Sequence, residues 1–169
     1  MCTKVYFTYV NAIAITAMSD QFQQYKGTYP YKTDSKNRVN VVAAWRPQPG
    51  ENLHLMASFD KKSELPIIKV MTDEGIASRL RTVDEHITDP GEKAEIKSEL
   101  KRNLRDANLN DQGRLLIPKD FANHAEIESD ADVYLVAGDS HFEVWSKENY
   151  MKALGGLGVA PARNKLGIF

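Results

Sequence analysis

Cysteine is nearly absent: Cys2 is the only one in 169 residues. A single thiol cannot close an intrachain disulfide, so an oxidised, stapled scaffold is excluded and a reducing compartment is favoured. An excess of one charge is also absent, since 22 Lys and Arg face 23 Asp and Glu for a formal net charge of -1. Bulk charge therefore gives no attraction to nucleic acid, and any such contact must come from a local patch. The four histidines, His54, His86, His124 and His141, lack metal-ligand spacing, and there is no nucleophile motif or phosphate-binding glycine loop. These absences argue against an enzyme with a small-molecule substrate and against any metal or other cofactor. No apolar run is long enough for a bilayer; the stretch over 5–17 is too short to span one. That stretch is similar to the apolar region of a signal peptide, but Thr8 and Asn11 interrupt it and only Lys4 precedes it. Residues 1–24 are read as an N-terminal extension from an upstream start, within which Met18 opens a polar segment.

What the chain does have is 42% hydrophobic residues, enough for a modest core, and an internal repeat. The segment Thr33-Asp34-Ser35-Lys36-Asn37-Arg38-Val39-Asn40-Val41-Val42 aligns with Leu109-Asn110-Asp111-Gln112-Gly113-Arg114-Leu115-Leu116-Ile117-Pro118. Arg38 falls on Arg114, and each opens an apolar run. At nearly the same offset, Ile68-Lys69-Val70-Met71-Thr72 lies over Phe142-Glu143-Val144-Trp145-Ser146 with the same alternation.

Each copy then reads alike. A strand (Thr28–Thr33, and about Ala107–Leu109) precedes a polar turn, and a second strand follows at Arg38–Val42 or Arg114–Ile117. A short helical turn comes next, Ala43–Arg46 or Lys119–Ala125. The hairpin after it pairs Leu53–Phe59 with Pro66–Met71, or Val133–Gly138 with Phe142–Trp145. Thr72 and Ser146 are placed to cap the helices that follow the hairpins. Between the copies, Ile76, Leu80, Val83 and Ile87 form one helical face. A linking helix is expected over 89–106, with Asp89 as its cap, Pro90 at its first position and Ile96, Leu100 and Leu104 as its stripe.

Charge is distributed unevenly between the copies. Residues 25–50 hold Lys26, Lys32, Lys36, Arg38 and Arg46 against Asp34, five basic to one acidic, or +4. Residues 123–150 hold seven acidic residues (Glu126, Glu128, Asp130, Asp132, Asp139, Glu143 and Glu148) against Lys147, or -6. DNA affinity grows by neutralising phosphates and releasing counterions, so the first copy is the better candidate surface.

The paired motifs, with Tyr25-Lys26-Gly27-Thr28-Tyr29, Trp45-Arg46, Asn123-His124-Ala125 and Phe142-Glu143-Val144-Trp145, resemble the MraZ family, regulators of bacterial division and cell-wall gene clusters. The resemblance covers roughly residues 24–154. It implies an α+β fold of tandem AbrB-like swapped-hairpin units that close as β-barrels and are linked by two helices. The first unit with its helix would occupy 25–88, the linking helix 89–106, the second unit 107–154 and a flexible tail 155–169. The resemblance also implies a ring-like homo-oligomer in the cytoplasm, associated with the nucleoid and bound to double-stranded promoter DNA, with no membrane contact. Asp34, Lys36, Arg38, Arg46, Asn110, Arg114 and Lys32 are the DNA-binding candidates. The chain departs from the family pattern at Asn110, where Asp is usual, at Asn37, where a turn Gly is usual, at Val42, where Pro is common, and at Ala122, where a helix Arg is usual.

The residues themselves leave two roles open for the D-x-x-x-R turn. Asp34 and Arg38 can form an intramolecular ion pair that shapes the loop, or Arg38 can contact bases directly; a carboxylate that orients a guanidinium allows both. Arg46 suits a phosphate anchor. Trp45, Trp145, Phe121 and Phe142 are core candidates, and His124 a structural histidine. Asn110 can keep the turn by bonding its own backbone but supplies no charge. A second function class, an oligomeric antitoxin-like module that binds protein rather than specific DNA, is suggested by the acidic second copy.

Overall fold

The computed structural model describes residues 25–155. The N-terminal extension and the tail beyond Gly155 lie outside the described residues. In chain order the elements are β1 (Thr28–Lys32), β2 (Arg38–Asn40), a 3-10 turn (Ala43–Trp45), β3 (Leu53–Phe59), β4 (Pro66–Thr72), α1 (Asp73–His86), α2 (Pro90–Arg102), β5 (Leu104–Ala107), β6 (Arg114–Leu116), α3 (Lys119–His124), β7 (Asp132–Ala137), β8 (Phe142–Ser146) and α4 (Lys147–Ala153). The architecture is α+β, with an antiparallel sheet and helices set outside it.

Strand alternation decides how the sheet meets the core. In β3, Leu53 and Leu55 are buried while the alternating His54 and Met56 are half-buried. Central β4 is buried on both faces, with Ile68 and Val70 on the main core and Ile67 and Met71 opposite. Six strands form one sheet in the order β1-β7-β8-β4-β3-β5. The two hairpins meet at its centre, where β4 pairs with β8 (Ile68↔Val144, Lys69↔Glu143, Val70↔Phe142). At the edges the leading strands are exchanged. β1 lies on β7, from Thr28↔Val136 to Lys32↔Asp132, and β5 lies on β3, from Leu53↔Ala107 to Met56↔Leu104. His54 ties this exchange to α1: its ring nitrogens lie 2.6 Å from Asp73 Oδ1 and 3.0 Å from Asp106 Oδ1.

A separate two-stranded ribbon joins the motif turns themselves, β2 with β6, in the register Arg38↔Leu116, Val39↔Leu115, Asn40↔Arg114. Two further bonds extend it symmetrically, Val41 N–H to the Gly113 carbonyl at 3.0 Å and Ile117 N–H to the Asn37 carbonyl at 2.9 Å. Val39, Val41, Leu115 and Ile117 point inward and are fully buried in one cluster with Trp45, Phe121, Phe142 and the hairpin residues. Because strands and core residues of both copies interleave, burial that one copy alone cannot achieve is completed by the other.

The structure alters several boundaries. The linking helix ends at Arg102, not at 106, and Leu104, expected in its stripe, opens β5 instead. Asn103 closes the helix with its N–H on the carbonyls of Glu99, Leu100 and Lys101, and pairing with β3 then claims the next four residues. The second leading strand therefore runs Leu104–Ala107 rather than 107–109, although Leu109 keeps an isolated bridge to Leu115. Asp89 caps α2 as expected, its carboxylate accepting from the Glu92 amide at 2.7 Å. Ser146 caps α4 by accepting from the Asn149 amide at 3.3 Å, but Thr72 makes no side-chain cap bond. Asp73 and Glu74 place negative charge in the first turn of α1 instead.

A glycine inside α1 has a packing reason. A Cβ at Gly75 would stand 2.8 Å from the Ser140 carbonyl oxygen and 2.9 Å from Met71 Cβ, so only glycine lets the helix seat against the turn before β8.

Candidate nucleic-acid interface

The two motif turns are built by the same bonds. In the first, Asp34 Oδ1 accepts from the Lys36 and Arg38 amides, each at 2.9 Å. In the second, Asn110 Oδ1 accepts from the Gln112 amide at 3.0 Å and the Arg114 amide at 2.9 Å. The backbone repeats too: Asn37 N–H reaches the Asp34 carbonyl at 3.0 Å and Gly113 N–H the Asn110 carbonyl at 2.8 Å. Both turns need a residue in the left-handed region, supplied by Asn37 (φ 55°) and Gly113 (φ 74°). Asn is among the few residues with a side chain that adopts this conformation readily, so Asn37 replaces the usual glycine. Asn110 thus keeps the turn while giving up the charge, as its side-chain chemistry suggested.

Charge separates the turns. Asp34 Oδ2 receives Arg38 Nε at 2.7 Å, and Arg114 Nη1 lies 3.5 Å from the same oxygen. The Arg38 amide, followed by the Arg38 guanidinium and the Lys36 amide, holds the Asp34 carboxyl below the usual carboxylate range against an opposing effect of desolvation. Asp34, Arg38 and Arg114 line one cavity of about 340 Å³ together with Lys32, Thr33, Asn40 and Asp130. Four of the seven predicted site residues are therefore brought together: Lys32, Asp34, Arg38 and Arg114. Lys36 is exposed on the turn, and Asn110 holds its own turn from below.

Arg46 takes another position. Its Nε donates to the Val41 carbonyl at 3.1 Å, and its guanidinium lies against Gly113, where a Cβ would collide with it. The residue expected to anchor a phosphate thus packs onto the opposite motif turn, and the absent side chain of Gly113 makes the room. At the equivalent place in the second copy, Ala122 is buried, and the Asn37 turn instead receives the Ser129 hydroxyl on Asn37 Oδ1 at 2.7 Å.

Asn40 and Asp130 were not anticipated from the sequence. Asn40 had a readable signal, since it lies two residues after Arg38 on a strand and so shares its face. Asp130 had none: its amide reaches the Asp34 carbonyl at 3.4 Å across 96 residues. The core candidates are confirmed as buried (Trp45, Trp145, Phe121 and Phe142), and His124 is structural, with Nε2 2.9 Å from the Ser58 carbonyl oxygen. Four acidic residues of the second copy collect elsewhere, in a groove of about 920 Å³ lined by Glu126, Glu128, Asp132 and Glu148, with Lys147 as the only basic side chain among its described lining residues. It shares no lining residue with the Asp34 cavity.

The family model described as "MraZ protein, putative antitoxin-like" matches residues 103–162. The transcriptional regulator MraZ of Thermoanaerobacter sp. (strain X514) is 30% identical over 125 residues, covering 72% of this chain and 80% of the relative. The chain belongs to the MraZ family. MraZ regulators of Herpetosiphon aurantiacus and Mycoplasma mobile are similar at 29% and 27% identity, covering 76% and 75% of this chain and 85% and 82% of their own. MraZ proteins are transcriptional regulators, not enzymes. Among the described residues no helix is long and apolar enough to cross a membrane, and no group of His, Cys, Asp and Glu is arranged to hold a metal ion.

Proposed function

We propose that the chain is a sequence-specific DNA-binding regulator that attaches to repeated boxes in the promoter of division and cell-wall genes. One observation carries this reading: β2 and β6 form a two-stranded ribbon whose inner residues, Val39 and Leu115, are buried. Its other face carries Arg38, Asn40, Arg114 and Leu116. A two-stranded ribbon fits the major groove of B-DNA, where Arg pairs with guanine edges, Asn with adenine, and apolar groups meet the thymine methyl. Lys32 and Lys36 beside it suit phosphate contact, and Arg46 supports the ribbon from behind. The exchanged leading strands support tandem AbrB-like swapped-hairpin units over 25–88 and, counting the leading strand that opens at Leu104, 104–154; the regulator reading puts these units in a ring-like cytoplasmic oligomer that associates with the nucleoid. Several ribbons in one ring would bind repeated boxes with more than one subunit's affinity.

The acidic groove favours a second reading, an antitoxin-like module that binds a basic protein without specific DNA recognition. A mobility shift with the duplex upstream of the chain's own gene separates the two. The expected result is a shift that resists a scrambled competitor, with log affinity falling linearly as log salt rises, steeply if six or more phosphates are met, roughly 10³-fold or more between 50 and 200 mM. Equal affinity for the scrambled duplex would refute specific recognition and leave the protein-binding module standing.

A further inference from the structure

Resting on that DNA-binding reading, we infer that Asp34 is a positioning residue for the reading arginines of both motif copies, so that the second turn is oriented by the first. The capping bonds of the two turns match one for one, and the capping side chains, Asp34 and Asn110, differ in one atom. Where Asp34 has Oδ2, Asn110 has an amide nitrogen, which only donates and cannot pair with a guanidinium. Arg114 is therefore left without a carboxylate at the capping position of its own turn, and Asp111 beside it forms no ion pair with it among the described residues. The ribbon register sets it opposite Asn40, and its Nη1 comes within 3.5 Å of Asp34 Oδ2, the oxygen that already receives Arg38 Nε at 2.7 Å. Asp130 lines the same cavity but forms no ion pair with either arginine among the described residues.

The two guanidiniums consequently present different donors. Arg38 is held through Nε, which leaves both of its Nη groups as a fork for a guanine edge. Arg114 meets the same oxygen through Nη1 at 3.5 Å, leaving Nη2 and Nε. A single carboxylate thus makes the ribbon unsymmetrical, and the two halves of a bound box are read by different donor geometries.

Asp34→Asn tests this without endangering the turn, because Asn110 shows that Asn in this position still accepts both amides. In the DNA-free protein, the side-chain nitrogen resonances of Arg38 and Arg114 are expected to move together in Asp34→Asn. Adding Asn110→Asp is expected to return the Arg114 resonance alone. With duplexes, Asp34→Asn should reduce the preference for the promoter over a scrambled sequence by about tenfold. Non-specific affinity should hold or rise, because a negative charge near the phosphates is gone. Asn110→Asp should restore part of the preference. An unmoved Arg114 resonance in Asp34→Asn overturns the inference, as does an equal loss of specific and non-specific affinity, which a purely structural role would produce. A wild-type chain with no duplex preference overturns the DNA reading, while the DNA-free resonances still decide the cross-copy pairing.

Discussion

Arg38→Ala is expected to remove most of the preference for promoter DNA, lowering specific affinity by about 10- to 100-fold, the range expected for losing one good bidentate base contact. Arg38 combines the better-held guanidinium with the more basic stretch of sequence, +4 over residues 25–50. Its Nε is fixed at 2.7 Å on Asp34, and both Nη groups remain available. Arg114→Ala is expected to cost less, since Arg114 is held more loosely at 3.5 Å. Removing Arg114 also leaves Asp34 wholly to Arg38. The check is a paired titration of both variants at several salt concentrations, each first shown to keep the wild-type oligomer. Arg38→Ala should also flatten the salt slope more, because the local positive charge sets phosphate attraction. Equal losses would show that both turns read DNA alike and that the charge asymmetry between the copies does not govern binding.

Trp45→Ala is expected to have the largest effect on stability, about 3–5 kcal/mol. Trp45 is 1% exposed, and its ring meets Tyr25 at 5.9 Å, Tyr29 at 5.2 Å and Phe142 at 5.4 Å. Tyr29 lies on an exchanged strand and Phe142 in the second hairpin, so one side chain fastens both copies to the ribbon. A cavity there loses transfer free energy and cannot be filled by a rigid sheet. The loss is a large share of the roughly 5–15 kcal/mol that holds a typical domain, and thermal unfolding should begin about 10–20 °C lower. Trp45→Phe is expected to recover most of it, because Phe121 already fills the equivalent place in the second copy, 6% exposed. A melting temperature within a few degrees of wild type for Trp45→Ala would show that the cluster does not fasten the copies.

The turns and hairpins were readable because their determinants are local. The Asp34 and Asn110 turns, the cap at Asp89 and the alternation of β3 each depend on residues within a few positions of one another. Family resemblance supplied the expectation of exchange, but periodicity in a single strand does not say which partner it will take. The four residues Leu104–Ala107 illustrate this. Their leucine continues a helical stripe by spacing, yet ladder bonds to β3 outweigh one more helical turn. Contacts across the pseudo-dyad were hidden for the same reason. Nothing adjacent to Arg114 indicates that its anion is Asp34, and Arg46, read as a phosphate anchor, packs on a glycine 67 positions away. Thr72 had the right chemistry for a cap, but acidic residues already occupy the start of α1.

The most direct measurement is hydrogen–deuterium exchange of the full chain with and without its upstream duplex, read segment by segment. DNA seated on the ribbon should slow exchange over residues 32–40 and 110–116, and leave the acidic groove around Glu126, Glu128 and Glu148 unchanged. Protection confined to that groove or to α2, with the ribbon exchanging as in the free protein, would contradict the assignment of the ribbon as the DNA-reading surface.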